Sequence, residues 1–520
     1  MQEEVKASES RRPSSEDGSS KGGAAVEEKM TQTEPENTSL DRVVSGPPYS
    51  IFSSKTKLFI VLMIAGAALI SPFAATLFYP ALNALAAQLD VSDSLITLSV
   101  TTYMLAQAIS PAFIAGVSDQ DGRRLSFIIC FAIYIVANVG LALQTNYAAL
   151  LVLRCVQAAG SSPTIALAIA VVADVATSAE RGKFMGYATG GILVGPAFGP
   201  TIGGLLAEYL GWRAIFWFLV IFGAIFGLIF VILVPETCRN VVGNGSIPAR
   251  GVSMSVLGYW QRRKQERKPG SHSQQLPEKK NFVWPNPILT LKILREKESA
   301  MLLVYNGLFF NGQMALSTAL PHMLETYYGY NVLKIGLCFL PLGCGSLLSA
   351  MAMGRVVDWR FRWHAVKLGM ELKKGRQQDL TNFPIERARL EVIVPAHVLG
   401  LVFLIVFGWL VHYRVHIAGV LVTLFFIGFG ISTSFNTSNT LLIDLHRSKP
   451  ATATAAVNFV RCLISAGGVA AIVPMIEAMN PGWCFTFLGL LYVAVIPMLW
   501  AVGRYGPRWR AELARNGSKE

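Results

Sequence analysis

Twelve apolar stretches dominate the sequence and limit what the chain can fold into. A helix that crosses a bilayer needs ~20 mostly apolar residues, and each stretch is close to that length. Only 15% of the residues are charged, against about 25% in a typical soluble protein. We therefore predict an all-α polytopic membrane protein with twelve transmembrane helices in two six-helix halves. The predicted spans are 58–80, 95–117, 125–144, 149–173, 184–209, 213–234, 301–324, 333–357, 391–411, 415–440, 451–476 and 482–503.

Polar and basic segments divide the chain into regions. Residues 1–50 are rich in Ser, Glu, Lys and Gly, which is typical of a disordered segment. Residues 235–300 hold twelve Lys and Arg and no long apolar run, so they separate six spans from six. The predicted regions are a disordered cytosolic tail (1–57), an N-terminal six-helix half (58–234), a cytosolic basic linker (235–300), a C-terminal six-helix half (301–503) and a cytosolic tail (504–520).

The placement of positive charge predicts the orientation of the spans. Basic residues collect on the cytosolic side of membrane proteins. With the N-terminus inside, the inner segments 235–300 and 358–390 hold twelve and eight Lys and Arg. Both termini are therefore predicted to be cytosolic, and topology explains the net charge of +13 without a nucleic-acid partner. The short inner loops hold Arg123, Arg124, Arg181, Lys183, Arg447 and Lys449, and the outer loops hold Arg213, Lys334 and Arg414.

One loop pattern occurs once in each half: a glycine, then an aspartate, then arginines. An internal repeat of this kind is typical of transporter folds. We predict that Asp119, Arg123 and Arg124 form a latch whose ion pairs are made when the inner gate is shut and broken when it opens. The alternative is a solvated turn that only sets topology. The copies are Gly116, Asp119, Gly122, Arg123 and Arg124 after the second span, and Gly354, Asp358, Arg360 and Arg362 in a turn after the eighth.

The stretch from Gly190 to Gly204 reads GGILVGPAFGPTIGG. Its glycines recur every four residues, which places them on one face of a helix. In lipid, small residues let helices approach each other closely. Two interpretations stay open: a tight-packing seam, or a bendable helix that takes part in gating. The residues concerned are Gly191, Gly195, Pro196, Gly199, Pro200 and Gly203.

Two arginines lie inside predicted spans, where a charge is costly and is usually kept for function. Arg154 is about one and a half turns into the fourth span, and Arg461 is ten residues into the eleventh, near the midplane. Arg154 either takes part in transport or extends to the outer interface. Arg461 either faces a central cavity or pairs with a buried acid. The sequence has no acidic residue near the midplane, so two cavity arginines favour a substrate that carries a carboxylate.

Amide side chains in other spans are candidates for the same pathway. Asn458 lies one turn before Arg461, so the two share a helix face. For each amide the alternative is a hydrogen bond between helices. The predicted substrate or proton pathway consists of Arg154, Arg461, Asn458, Asn311, Asn436 and Gln107.

Together these motifs resemble the major facilitator superfamily over about residues 50–505. The loop around Asp119 is similar to the family signature G-x-x-x-D-R-x-G-R-R, matched at Asp119, Gly122, Arg123 and Arg124. The glycine-rich stretch resembles G-x-x-x-G-P-x-x-G-G, a signature of proton-driven antiporters in the family. The resemblance implies proton-driven export and a part for Arg154 in proton coupling. Segments 235–239 and 458–462 are similar to the fungal twelve-span drug:proton antiporter branch, and 150–157 resembles another family signature.

The sequence offers no sign of enzyme chemistry. It lacks the phosphate-binding motif GxxxxGK[ST], and its seven cysteines have no metal-like spacing. We predict a proton-coupled exporter of drugs, toxins or secondary metabolites that works by alternating access and uses the proton gradient without a cofactor. The alternatives are an exporter of organic acids such as citrate or itaconate, a sensor on a transporter scaffold, and facilitated uptake. The expected partners are a small-molecule substrate, protons and the bilayer, with a monomeric chain in the plasma membrane or, alternatively, the vacuolar membrane.

Overall fold

The computed structural model describes residues 50–245, 247, 249, 253–255, 293–368, 383–446 and 450–517. Within these ranges the regular structure is helical and contains no strand, as the sequence predicts. The predicted N-terminal tail up to residue 49, most of the predicted basic linker and residues 518–520 lie outside the described residues. So do Arg447 and Lys449.

The N-terminal half consists of six membrane crossings. A 3-10 turn (Tyr79–Ala81) extends the first crossing, and Pro163 divides the fourth into two helices. Side chains that accept backbone N–H bonds start several of them; for example, Ser92 Oγ accepts from Leu95 N at 3.3 Å. The helices are α1 (Ser54–Thr76), α2 (Leu82–Leu89), α3 (Asp93–Asp121), α4 (Arg123–Leu143), α5 (Tyr147–Ser161), α6 (Pro163–Val175), α7 (Ser178–Leu210), α8 (Arg213–Leu233) and the one-turn α9 (Arg239–Val242).

The C-terminal half repeats the six crossings with five helices, because its last helix contains two. That helix breaks at Asn480, whose φ of 64° is left-handed, and the following Pro481 has no backbone N–H to donate. The break separates an eleventh crossing (450–479) from a twelfth (481–517). The helices are α10 (Lys297–Tyr328), α11 (Val332–Lys367), α12 (Ile385–His412), α13 (Ile417–Leu445) and α14 (Pro450–Gly517).

The twelve crossings agree with the predicted fold class. By length and composition alone, ten helical stretches in the described part of the chain could cross a membrane. This count is two below the twelve crossings for two reasons. Both arms of α14 fall in one stretch, and α10 carries Asn306, Asn311 and Gln313, which lower its hydropathy.

The second copy of the glycine–aspartate–arginine pattern is not a turn, so the expectation for Asp358 is wrong. In the first copy Gly122, with a φ of 115°, ends α3. No glycine stands at the corresponding place in α11, which continues through Asp358 to Lys367. Its 36 residues are ~54 Å long, so it extends well beyond a hydrocarbon core of ~30 Å.

The glycine–proline stretch lies inside one unbroken helix, α7. A Cβ at Gly195 would lie 2.6 Å from Pro72 in α1, and a Cβ at Gly203 would overlap the Leu77 backbone. Thr76 Oγ1 donates to Gly195 O at 3.1 Å across the same seam. The four glycines that face the first crossing are Gly191, Gly195, Gly199 and Gly203, while Pro196 and Pro200 line a small cavity shared with the C-terminal half.

Candidate functional site

The helices α7 and α11 cross at the boundary between the halves, in contact at one end and apart at the other. We call "outer" the side that the charge pattern predicts to be extracellular. In the outer part, a Cβ at Gly343 would overlap Ala197. Gly190 lies on the same face of α7 as Ala197, yet a Cβ there would meet no atom within 4 Å. Gly354, on the face of α11 that carries Gly343, also borders open space.

Aromatic and apolar side chains close the outer end of this boundary. The rings of Tyr79 and Phe339, from opposite halves, stack with centroids 6.2 Å apart and an interplanar angle of 6°. Tyr79 Oη also donates to Met314 Sδ at 3.8 Å. The small cavity at this level is lined by Thr76, Tyr79, Pro196, Pro200, Gln313, Met314, Ser317, Phe339, Leu342, Gly343 and Ser346.

Polar pairs join the halves at the outer surface. His322 Nδ1 lies 2.7 Å from Asp93 Oδ2 across the boundary, in a hydrogen bond that is an ion pair when the imidazole is protonated. Three further contacts between halves are Asn83 with Glu325, Ser94 Oγ to Glu477 Oε2 at 3.4 Å, and Asn331 Nδ2 to Glu208 Oε1 at 2.7 Å. The two halves are therefore joined on the outer side, and α7 and α11 part on the inner side.

Arg461 lies in the eleventh crossing, beside the boundary between the halves. Its predicted place in a central cavity stays a prediction. Its guanidinium carbon is 4.7 Å from the centroid of Phe310 and 5.6 Å from that of Phe435. Arg461 Nη2 donates to Asn458 Oδ1 at 2.9 Å. The side chain is half-buried, and none of the described residues places a carboxylate within ion-pair distance of it. Aromatic faces and one amide oxygen thus hold a cation whose charge stays unneutralised.

Asn458 connects this arginine to the other half. Its Nδ2 donates to the backbone carbonyl of Gln107 in α3 at 3.0 Å. The same carbonyl accepts from Ser162 Oγ at 3.2 Å. Gln107 and Asn458 therefore meet at the boundary, although it is the Gln107 backbone and not its side chain that makes the bond.

Arg154 lies elsewhere, inside the N-terminal half, and it is fully buried. Its guanidinium carbon is 4.5 Å from the Phe78 centroid and 4.6 Å from the Tyr103 centroid. Nη1 donates to Ala74 O at 3.1 Å and to Gln157 Oε1 at 2.6 Å. Arg154 therefore neither lines an open cavity nor extends to the outer interface in this conformation, and its part in proton coupling stays a prediction. The two arginines do not form one site.

The remaining predicted pathway residues are divided between packing and the boundary. Asn311 is buried against Gly468 in α14, where an added Cβ would overlap its side-chain amide. Asn436 is half-buried on α13, one residue after Phe435. Of the predicted pathway residues, Asn458 contacts Arg461 directly, and Gln107 joins it through its backbone carbonyl.

The residues of the predicted inner latch form an ion-pair cluster at the end of α3, and its pairs are made although α7 and α11 part on the inner side, contrary to the predicted break on opening. Arg123 contacts Asp119, four residues earlier, in an ion pair, and Arg123 Nε lies 2.9 Å from Asp174 Oδ2. Asp119 is exposed. Arg124, the third predicted member, instead donates to backbone carbonyls, with Nε to Val234 O at 3.1 Å.

Glu236 is a functional candidate to which the sequence analysis gave no role; it lies in the segment 235–239 that resembles fungal antiporters. Its carboxylate accepts backbone N–H bonds from Arg123, Arg124 and Cys238 at 2.9, 3.1 and 2.9 Å. A Cβ at Gly122 would overlap this carboxylate, so the glycine also serves the close approach. Burial raises the pKa of Glu236, and the backbone donors oppose that shift. The segment after α8 is thereby clamped to the start of α4.

The C-terminal half does not repeat this cluster. Asp358 is exposed, and Arg360 pairs with Glu391 at 3.5 Å instead. The guanidinium carbon of Arg360 also lies 4.9 Å from the Trp359 centroid. The symmetry of the sequence motif therefore does not extend to its contacts.

Two six-helix halves, joined on one side of the membrane and apart on the other around a polar site, are the architecture of a carrier of small solutes. The chain belongs to the Major Facilitator Superfamily, whose family model matches residues 64–469. It is a multi-pass membrane transporter and not an enzyme.

Known relatives support this assignment. The MFS-type transporter clz19 of Cochliobolus lunatus is 39% identical over 507 residues, which cover 98% of this chain and 95% of that protein. Citrate exporter 1 of Aspergillus niger is 33% identical over 472 residues, with coverage of 89% and 88%. Among solved structures, a D-xylose–proton symporter superposes with a TM-score of 0.60 at 16% identity, over 84% of this chain and 96% of the symporter. That similarity concerns the fold alone.

Proposed function

We propose that this transporter is a proton-coupled exporter of small organic molecules, and that molecules with a carboxylate are its preferred substrates. The observation that carries the proposal is the Arg461 guanidinium at the boundary between halves, without a carboxylate partner among the described residues. A guanidinium binds a carboxylate in a two-point geometry that an amide cannot match. Secondary metabolites and toxins that carry a carboxylate meet this requirement, as do simple organic acids.

The aromatic surroundings favour an organic anion over an inorganic one. Phe310 and Phe435 flank the guanidinium, so apolar parts of a ligand would find partners beside the charged group. The similarity to a citrate exporter supports the acidic class. Cationic drugs find no acidic side chain near Arg461 in the described part of the chain.

Export and proton coupling rest on other support. The carrier is open on the side predicted to be cytosolic, where an exporter loads its substrate. The seam of α1 and α7 carries the glycine–proline pattern that resembles proton-driven antiporters. In this proposal the proton gradient drives the cycle without a cofactor, the protein acts as a monomer, and it resides in the plasma membrane with both termini in the cytosol.

A comparison of culture media tests the proposal. Fungal cells with and without the protein are grown with and without a proton uncoupler, and their media are compared by untargeted mass spectrometry. We expect carboxylate-bearing compounds to accumulate in the medium only when the protein is present and the gradient intact. Export of cations alone would contradict the substrate class, and export that is unaffected by the uncoupler would contradict the coupling. Ligand binding without any flux would favour a sensor.

A further inference from the structure

Two buried carboxyl groups meet at the inner end of the C-terminal half, away from the site around Arg461. Glu298 lies in the first turn of α10 and is 2% exposed, and Glu386 lies in the first turn of α12 and is 0% exposed. Gly506 of α14 lies between them: a Cβ there would be 2.8 Å from Glu298 Oε1 and 3.1 Å from Glu386 Cγ. The inner ends of the seventh, ninth and twelfth crossings therefore converge on this pair.

The pair is short of positive charge. Arg510 Nη1 lies 3.4 Å from Glu386 Oε1 and is the cation that faces the two groups. Glu296, the residue before α10, adds a third acid, but it pairs with His446 Nε2 at 3.2 Å. One guanidinium cannot neutralise both Glu298 and Glu386.

Hydrogen bonds do not compensate for the missing charge. Glu298 Oε1 and both carboxyl oxygens of Glu386 are buried and accept no hydrogen bond from the described residues. Apolar side chains surround the region in a separate cluster that includes Ile293, Leu302 and Val502. An unpartnered carboxylate in such surroundings is costly, and two neighbouring carboxylates cannot both stay ionised.

We infer that Glu298 and Glu386 share one bound proton and form a proton-binding site at the inner end of the C-terminal half. With one proton on the pair, the remaining negative charge is neutralised by Arg510. The presence of a bound proton is inferred from the geometry of the two carboxyl groups. The further claim, that this site exchanges the transported proton with the cytosol, rests on the proposed function.

The titration of Glu298 agrees with this arrangement. Glu298 precedes the predicted span 301–324, and burial together with the neighbouring Glu386 raises its pKa to about 8, against the opposing effect of Arg510. Since the folded-state pKa lies above the ordinary value of 4.5, the stabilisation from the protonated form is complete below that value. It is lost as the pH rises through about 8.

Infrared spectroscopy of the purified full chain in lipid nanodiscs tests the site directly. The carbonyl stretch of a protonated carboxylic acid should be present at neutral pH and disappear above about pH 8. Glu298→Gln leaves Glu386 ion-paired with Arg510 and should abolish the band. Glu386→Gln removes the neighbouring charge that helps to raise the pKa of Glu298 and should weaken the band. Arg510→Gln should enlarge it about twofold, because both carboxyl groups then bind protons. Glu391→Gln, which removes an ion-paired acid from the same helix α12, is the matched control and should leave the band unchanged.

A wild-type protein without the band at neutral pH would overturn the inference, and so would a band that survives both single variants. The variants should fold, since glutamine is a neutral isostere; a melting curve verifies this, and Glu298→Gln should flatten the loss of stability between about pH 4.5 and pH 8. These measurements need no transport. If the band behaves as expected but the protein shows no proton-coupled flux, the proton-binding site stands and the proposed function is contradicted.

Discussion

The side-chain amide of Asn458 donates to the backbone carbonyl of Gln107 at 3.0 Å, across the boundary between the two halves. The carbonyl oxygen of the same amide accepts from Arg461 Nη2 at 2.9 Å. One asparagine thus both joins the halves near the midplane and orients the guanidinium of the proposed substrate site. A ligand that draws Arg461 away would disturb the contact between halves, which gives substrate binding a physical means of biasing the conformation.

Asn458→Ala should favour separation of α3 from α14. The lost hydrogen bond contributes about 1 kcal/mol, so the population of the outer-closed form should fall about fivefold relative to the outer-open form. Electron-spin distance measurement between labels at Gly190→Cys and Gly354→Cys, in a cysteine-free background, reports the gap at the inner side. Both positions border open space, so the labels should not disturb packing.

Asn458→Asp tests the unneutralised charge of Arg461. The new carboxylate would neutralise Arg461, so anion binding should fall at least tenfold. Because aspartate cannot donate to the Gln107 carbonyl, the distance distribution should shift as in Asn458→Ala, and the loss of binding beyond that of Asn458→Ala measures the charge. Binding of a carboxylate substrate that is unchanged in Asn458→Asp would contradict the role given to the unneutralised guanidinium.

Replacing Gly195 should damage the seam between α1 and α7. In Gly195→Ala the added Cβ would lie 2.6 Å from Pro72, so the helices must move apart, at a cost of about 1–3 kcal/mol. Thermal unfolding in detergent should show the loss, and transport should fall with it. Gly190→Ala is the matched control on the same helix, because its Cβ meets no atom within 4 Å. Equal behaviour of the two variants would reject close approach as the reason for the glycines.

Asp93→Asn should weaken closure of the outer side. The contact of His322 with Asp93 crosses the boundary at 2.7 Å, and Asp93 is partly exposed, so the expected effect is modest, at about 1 kcal/mol. The same inner-side labels should report a larger population of the outer-open form. Lys334→Gln is a suitable control, since Lys334 is also at the outer surface but pairs with no described acid. Identical distance distributions in Asp93→Asn and the wild type would exclude a gating role for this pair.

Glu236→Gln should destabilise the inner end of the N-terminal half by about 1–3 kcal/mol. Four backbone N–H groups, those of Arg123, Arg124, Thr237 and Cys238, point at the carboxylate. A glutamine offers one oxygen and turns an NH₂ group toward the remaining donors. Thermal unfolding measures the change, with Glu180→Gln as the control because Glu180 makes its ion pair with Lys57 at the surface.

The sequence was sufficient for the crossings and for contacts between residues a few positions apart. Apolar length is a local property, so twelve spans could be counted, and Asp119 and Arg123 are four residues apart, on either side of the end of α3. The rotation of a helix within its bundle is not local. That is why Arg154 was expected near a cavity although it is enclosed by Phe78 and Tyr103.

Contacts between segments far apart in the sequence could not be predicted either. Asp93 and His322 are separated by 229 residues, and nothing in the sequence around either residue indicates that the two are in contact. The pair of Glu298 and Glu386 was also missed, because each acid lies at a span end, where a solvated charge is the ordinary expectation. Folding buries both through the approach of α14 at Gly506.

The charge selectivity of Arg461 variants tests the central claim most directly. Wild-type protein, Arg461→Gln and Arg461→Lys are reconstituted in proteoliposomes with an imposed pH gradient, and flux of radiolabelled citrate and of a lipophilic cation is measured. Arg414→Gln, at the outer surface, is the control for loss of an arginine. We predict gradient-dependent citrate flux in the wild type and the control, a loss of at least tenfold in Arg461→Gln, and partial retention in Arg461→Lys. Cation flux that exceeds citrate flux in the wild type and is unaffected by Arg461→Gln would contradict the account.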